Sequence, residues 1–158
     1  MGDIHQPLHC ETDLTNFPPP QGDRGGNDIH LTYFHRSTNL HAVWDGGAIE
    51  QALHVRLGPN FTPDLTATAA EAANLNQAIS NSHTAAWAPD GLAADLPLAT
   101  VQWANESHAL ARTAYQNLPA IREQGWDQTY QGPAWQIIQG QLARGGVRLA
   151  KLLNEELR

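Results

Sequence analysis

Apolar residues at helical spacing recur through most of the chain beyond its first forty residues, and this pattern predicts a mainly α-helical fold. Residues 39–57 form the first such segment. The alanine-rich residues 64–80 form the second, for which either Asp64 or Thr66 can serve as the N-cap. Residues 93–118 continue the pattern, so three helices are expected before the last quarter of the chain.

The last helix is predicted over residues 132–157, with Pro133 near its start. Gly46 and Gly47 lie in the middle of the first predicted helix and indicate a bend there. On the last helix a stripe of apolar residues is expected to face the core: Ile138, Leu142, Leu149, Leu152 and Leu153.

The N-terminal forty residues do not show this helical pattern throughout. Residues 1–10 are predicted to be the end of a helix that enters a loop at Pro7. Residues 11–26 contain three consecutive prolines and a Gly-Gly pair, and we expect an extended loop. The alternation that follows predicts one short strand or a small hairpin, with one face formed by Ile29, Leu31 and Tyr33.

Length, charge and hydropathy limit the class of protein. The 158 residues suit a single domain spanning 1–158, and 41% hydrophobic against 16% charged residues is enough apolar material for one core. A membrane-spanning helix needs roughly 20 consecutive apolar residues, and the sequence has no such run. The net charge of -7 argues against a broad basic surface for duplex nucleic acid. Bound divalent cations could nevertheless supply local positive charge.

Four potential metal ligands lie in two short segments. His41 and Asp45 are four residues apart on a predicted helix, so their side chains share one face. A hydrolytic zinc site has about three protein ligands and one open position. His9 is the candidate third ligand, since Pro7 turns the chain just before it, and Asp3 is expected at the same cavity.

The other candidate ligands are interpreted as structural or solvated. His5 and His9 have the spacing of a zinc-protease helix, but Gln6 stands where that motif requires Glu and Pro7 interrupts the helix. The single Cys10 is interpreted as a part-buried thiol. Core positions are predicted for Trp44 and Trp103. The histidines assigned to the structural or solvated class are His30, His35, His54, His83 and His108.

The motifs GDIHQPLHC, GDRGGNDIHLTYF and NLHAVWD, together with WANESHALA and GGVRLAKLLNEEL, resemble the S-one/P-one (S1/P1) nucleases, which are distantly related to bacterial zinc phospholipase C. The resemblance covers nearly the whole chain. It implies a mostly helical fold that holds three zinc ions in a cleft. It also implies that His9, His41 and Asp45 form one complete zinc site, and that Asp3 bridges the other two ions.

The same resemblance implies a function. The family consists of zinc-dependent endonucleases that hydrolyse phosphodiester bonds in single-stranded DNA or RNA, and 3′-nucleotides, leaving 5′-phosphate products. Two alternatives remain open, namely a phospholipase C-like phosphodiesterase and a non-catalytic helical domain that binds one zinc ion.

The resemblance further implies that this chain is the C-terminal part of a longer nuclease domain. On that basis we expect little or no activity from the chain alone. Truncation of this kind would expose a core face, through which a second polypeptide could associate. The sequence shows no signal peptide at its start, whereas the resemblance implies a secreted or periplasmic protein.

Overall fold

The computed structural model describes residues 1–56, 64–116, 118 and 125–157. The protein is mainly α-helical with one two-stranded hairpin, which confirms the predicted fold class. Residue 57, where the first helix is predicted to end, lies outside the described residues, and so does residue 117 of the third predicted helix. The helices are α1 (Leu40–Ala42), α2 (Ala48–Leu53), α3 (Leu65–Ala78), α4 (Asn81–Trp87), α5 (Leu96–Gln116) and α6 (Trp126–Glu156).

The N-terminal segment differs from its prediction. Two short 3₁₀ helices, Asp3–His5 and Pro7–Cys10, replace the expected end of an α-helix. Gln6 lies between them in an extended conformation, with φ of -85° and ψ of 115°. Pro7 therefore begins a new helical turn instead of ending an old one.

The hairpin consists of strands β1 (His30–Tyr33) and β2 (Arg36–Asn39), which pair in antiparallel register. Leu31 and Tyr33 are buried while the residues between and before them are exposed, as the alternation predicted. The indole N–H of Trp126 donates to the carbonyl of Thr32 at 3.0 Å. This bond fastens the hairpin to the start of α6.

The segment after the hairpin contains a π-helical turn. Asn39 caps α1, its side-chain oxygen accepting the N–H of Ala42 at 2.8 Å. The chain then forms a π turn over Val43–Gly47 before α2 begins. The bend predicted at the glycine pair is thus a π turn, a feature frequent at functional sites.

The core lies between this region, α5 and α6. Tyr130 of α6 is its largest fully buried side chain and accepts a hydrogen bond from the indole N–H of Trp44 at 2.8 Å. Its own hydroxyl donates to the carbonyl of Ala114 in α5 at 3.0 Å. Trp44 and Trp103 are both buried, as predicted. The four-residue cluster around Trp103 consists of Ala88, Leu92, Ala99 and Trp103.

Helix α6 corrects two expectations. It begins at Trp126, seven residues before Pro133, which lies inside the helix. The predicted core stripe is only partly buried: Ile138 is 5% exposed, and Leu152 is half-buried. The other three leucines are 45–49% exposed: Leu142, Leu149 and Leu153. Helical periodicity marks an apolar face but does not determine what packs against it, and two of these leucines line an open cavity instead.

Buried polar contacts fix the N-terminal segment against the two long helices. The hydroxyl of Ser107 donates to the carbonyl of Ile4 at 2.6 Å. The side chain of Gln141 donates to the carbonyl of His5 at 3.0 Å, and Arg148 donates to His5 Nε2 at 2.7 Å. The two 3₁₀ helices, which carry the candidate ligands Asp3 and His9, are therefore anchored to α5 and α6. No helix within the described residues is long and apolar enough to cross a membrane.

Candidate metal centre

Three of the four predicted ligand residues converge. His9, His41 and Asp45 each offer one ligand atom, and these atoms lie within 4.8 Å of one another. His9 Nε2 is 3.2 Å from Asp45 Oδ1, and His41 Nε2 is 3.3 Å from Asp45 Oδ2. The cluster joins the second 3₁₀ helix to the π turn across 36 residues of sequence.

His41 is oriented by Gly25, which lies in the loop before the hairpin. Its position in α1, four residues before Asp45, puts the two side chains on one face. Its Nδ1 lies 2.9 Å from the carbonyl oxygen of Gly25. Since a carbonyl can only accept, Nδ1 carries a proton, and Nε2, which faces Asp45, is the nitrogen left for a metal.

His9 is oriented in the same way by a carboxylate. Its Nδ1 lies 2.9 Å from Asp3 Oδ1, on the opposite side of the ring from Nε2. The imidazoles of His9 and His41 stack with centroids 4.9 Å apart and an interplanar angle of 14°. The two Nε2 atoms therefore approach Asp45 from adjacent, nearly parallel rings.

Asp45 is held by a residue that the sequence analysis did not select. Gln6 Nε2 donates to Asp45 Oδ1 at 3.0 Å, while Gln6 Oε1 accepts the N–H of Leu8 at 2.5 Å. The bond to Leu8 fixes which end of the amide faces Asp45. The N-cap position of Gln6, directly before Pro7, is the only sequence signal that could have selected it.

The donor set fits a zinc ion. Zinc accepts imidazole nitrogen and carboxylate oxygen at about 2.0–2.2 Å, and three protein ligands leave one position open. Each histidine directs Nε2 toward Asp45 and has a hydrogen-bond acceptor at Nδ1, so Nε2 is the nitrogen available to a metal. The carboxylate of Asp45 supplies the anionic ligand, so the charge and chemistry of the cluster suit a divalent cation.

Asp3 lies beside the cluster but outside it. Its side chain is 88% exposed, and its carboxylate contacts His9 Nδ1. In this arrangement Asp3 acts as the outer partner of a ligand. Its predicted role as a bridge between two further zinc ions stays a prediction.

A cavity of about 520 Å³ opens beside the cluster. Asp3, His9 and Asp45 form part of its wall, so the ligand groups face the open space. Its apolar wall comes from the π turn, α2 and α6, and includes Trp44, Ile49, Ile138, Leu142 and Leu149. A small molecule that entered it would contact both apolar surface and the His/Asp cluster.

The other candidate metal ligands lie outside this cluster. Both ring nitrogens of His5 are hydrogen-bonded, Nδ1 to the carbonyl of Met1 at 2.8 Å and Nε2 to Arg148. Burial lowers the pKa of His5, so the ring is neutral and accepts from the Arg148 guanidinium. The thiol of Cys10 is half-buried, and Sγ lies 3.9 Å from the carbonyl of Ile4. The five histidines assigned to the structural or solvated class are all exposed.

A His/His/Asp cluster on the wall of an open cavity has the form of a catalytic metal site, with three protein ligands and one open position. The model of the S1/P1 Nuclease family matches residues 1–158, so the chain belongs to that family. The resemblance stated from the sequence motifs is thereby confirmed.

Several plant and fungal nucleases are similar to the chain. Endonuclease 4 of Arabidopsis thaliana is 36% identical over 155 residues, which is 98% of this chain and 46% of that protein. Endonuclease 3 of the same plant is 34% identical over 158 residues, covering 98% and 47%. Nuclease P1 of Penicillium citrinum is 28% identical over 159 residues, covering 98% and 54%. The chain spans about half the length of these relatives.

Proposed function

We propose that this chain is part of a zinc-dependent endonuclease that hydrolyses phosphodiester bonds in single-stranded DNA or RNA, and 3′-nucleotides, giving 5′-phosphate products. One observation carries the proposal: a member of the S1/P1 Nuclease family places His9, His41 and Asp45 within 4.8 Å of one another. The names of its relatives, endonucleases and nucleases, support the same reaction class.

The proposed ligands are His9 and His41, each through Nε2, and the carboxylate of Asp45. When bound, zinc would supply a Lewis acid that polarises a phosphoryl oxygen and neutralises its charge. Asp3 is proposed to contribute its exposed carboxylate to further ions, three in all by resemblance to the family, while it holds the Nδ1 proton of His9.

The residues around these ligands keep them ready for the metal. Gln6 holds Asp45 Oδ1 through its amide, and the carbonyl of Gly25 holds the Nδ1 proton of His41. Outer-shell bonds of this kind fix the orientation of ligands before the ion arrives. The chain therefore contributes a preorganised ligand set.

The cavity supports a preference for single strands. An unpaired base can enter an apolar pocket and pack against its wall, whereas a base in a duplex must first be extruded. Trp44, Ile49 and Leu149 give the cavity apolar surface, and the ligand cluster lies on its wall. A base in the cavity would put its attached phosphate near the cluster.

Catalysis by this chain alone is proposed to be weak. The chain spans about half the length of its nuclease relatives, and only one three-residue ligand cluster is found among the described residues. A non-catalytic zinc-binding domain is the competing outcome of the test below. By resemblance to the family, the intact protein is proposed to be secreted or periplasmic.

The test uses the purified chain with single-stranded DNA, single-stranded RNA and duplex DNA of matched sequence. We expect one zinc ion per chain and slow hydrolysis of the single strands, abolished by a chelator and restored by zinc. The reaction products should carry 5′-phosphates. Zinc binding without any hydrolysis would favour the non-catalytic reading, and hydrolysis unaffected by chelation would contradict the proposal.

Two substitutions sharpen this test. His41→Asn removes a proposed ligand and is expected to weaken zinc binding by more than about 100-fold, beyond the effect typical of outer-shell residues. His35→Asn is the matched control, since His35 is exposed at the hairpin turn and Asn tolerates its left-handed backbone, with φ of 67°. Equal zinc affinities of the two variants would contradict the assignment of His41.

A further inference from the structure

The loop before the hairpin contains a buried carboxylate that belongs to no ligand set. Asp23 has 0% of its surface exposed, although the loop around it has neither helix nor strand. Its Oδ1 accepts hydrogen bonds from the N–H of Asp13 at 2.8 Å, the N–H of Gly25 at 3.1 Å and the hydroxyl of Thr12 at 3.2 Å. Its Oδ2 accepts from the hydroxyl of Tyr115 in α5 at 2.8 Å.

A carboxylate in such a place requires an explanation. Burying an anion is unfavourable unless hydrogen bonds replace its hydration, and Asp23 has four such bonds from neutral donors. Three of the donors come from its own loop and the fourth from α5. Asp23 is therefore the point at which this irregular loop is fastened to the helical body of the protein.

One of those bonds leads directly to the metal centre. Gly25 donates its N–H to Asp23, and its carbonyl accepts the Nδ1 proton of His41 at 2.9 Å. The backbone at Gly25 is constrained as well. Its φ is +64°, and a Cβ at this position would lie 2.3 Å from the carbonyl oxygen of Leu8, the residue before His9.

The connection has a chemical consequence for His41. A neutral imidazole has one proton, and the hydrogen bond at one nitrogen decides whether the other is free to bind a metal. If the Gly25 carbonyl moved away, the proton could reside on either nitrogen. Nε2, which lies 3.3 Å from Asp45 Oδ2, could then hold the only proton of the ring and would have to lose it before binding a metal.

We propose that Asp23 is a positioning residue for the metal centre, which fixes the Gly25 carbonyl and thereby keeps the proton of His41 on Nδ1. This inference rests on the zinc site proposed above. Asp23 touches neither metal nor substrate in this account and acts only through Gly25.

The experiment compares Asp23→Ala, Asp23→Asn and the unmodified chain. Zinc affinity is measured by competition with a chelator, and the tautomer of His41 is read from its ring ¹⁵N shifts in the zinc-free chain. Asp23→Ala is expected to weaken zinc binding by about 10- to 100-fold and to shift His41 away from the Nδ1-protonated form. Asp23→Asn retains an oxygen that can accept from Gly25, and we expect it to rescue most of both properties.

A control separates positioning from general loosening. Asp127 also fastens an irregular turn, since its carboxylate accepts the N–H of Phe34 at 2.8 Å, but it has no bond to Gly25. Asp127→Ala should lower the free energy of unfolding while leaving zinc affinity and the His41 tautomer unchanged. Loss of zinc affinity in Asp127→Ala equal to that in Asp23→Ala would overturn the proposal.

The unmodified chain provides a test that depends on no variant folding. A zinc-free chain in which His41 is protonated on Nε2 and not on Nδ1 would overturn the inference outright. Failure of the unmodified chain to bind zinc would instead overturn the proposed function. The tautomer comparison would still decide the role of Asp23 in that case, so the two failures are distinguishable.

Discussion

At the scale of single residues, the two histidines of the cluster are set by bonds on the far side of their rings. His9 Nδ1 faces the Asp3 carboxylate and His41 Nδ1 faces the Gly25 carbonyl, both at 2.9 Å. Both partners are hydrogen-bond acceptors, so each ring carries a proton on Nδ1 and directs Nε2 toward Asp45. The nitrogen that a metal would bind in each ring is thus oriented before any metal arrives.

The amide of Gln6 supplies the first prediction. Gln6→Met keeps the length of the side chain but removes its donor to Asp45 Oδ1 and its acceptor for Leu8. We expect zinc affinity to fall by about 10-fold, at the low end of outer-shell effects, because all three proposed ligands remain and only hydrogen bonds that position them are lost. Isothermal titration calorimetry with zinc measures this affinity. Gln136→Met, at an exposed position of α6, is the control, and equal affinities of the two variants would contradict the role given to Gln6.

Sequence could suggest the cluster but not its supports. Residues four apart on a helix share one face, so the sequence alone indicated that His41 and Asp45 lie together. Gln6 lies 39 residues from Asp45, and Gly25 lies 16 residues from His41. Contacts across such distances depend on how the loop and the π turn fold together, and no local pattern encodes them.

At the scale of elements, α6 shows tertiary packing outweighing a local signal. Proline inside a helix is unfavourable by about 3 kcal/mol, so Pro133 predicted a helix start. The helix nevertheless begins at Trp126, because Trp126 and Tyr130 are buried in the core upstream of the proline.

The short helix α4 was not predicted, for a different reason. Its seven residues are too few to show a helical period, and Ser80 capping is the main signal.

The glycines give a prediction about these elements. Gly140 lies inside α6, and a Cβ there would meet nothing within 4 Å. Gly140→Ala is therefore expected to raise the free energy of unfolding by about 1 kcal/mol, through helix propensity. Gly25→Ala should lower it, because of the left-handed backbone and the clash with the Leu8 carbonyl. Urea unfolding followed by circular dichroism measures both. Changes of the same sign in the two variants would contradict this account of the backbone.

At the scale of the whole molecule, one side of α6 combines exposed leucines with the wall of the cavity. Leu142 and Leu149 are each nearly half exposed and line the space beside the proposed metal ligands. The sequence predicted their apolar face but placed it in the core. The chain also spans about half the length of its nuclease relatives. Leu142, Leu149 and the candidate ligand cluster all border the same open volume.

The three tyrosines test the packing of the whole molecule through pH. Burial raises the pKa of Tyr33, Tyr115 and Tyr130. The hydrogen bond from Tyr115 to the Asp23 carboxylate raises the pKa of Tyr115 further. In the unfolded chain each would ionise near pH about 10. Above that pH the unfolded state binds fewer protons than the folded state, so the free energy of unfolding falls as the pH rises.

An alkaline titration measures this effect. We expect tyrosinate absorbance to appear only together with the loss of helical circular dichroism, in one transition well above pH 10. Tyrosinate formation near pH about 10 with the helical signal intact would show that these side chains are not packed as described.

The central claim is that His9, His41 and Asp45 hold one cation between them. Crystals of the chain grown with zinc, and measured on both sides of the zinc absorption edge, test it most directly. We predict an anomalous difference peak about 2.0–2.2 Å from His9 Nε2, His41 Nε2 and a carboxylate oxygen of Asp45. A fully bound zinc ion located elsewhere, with these three side chains paired only to one another, would contradict the claim.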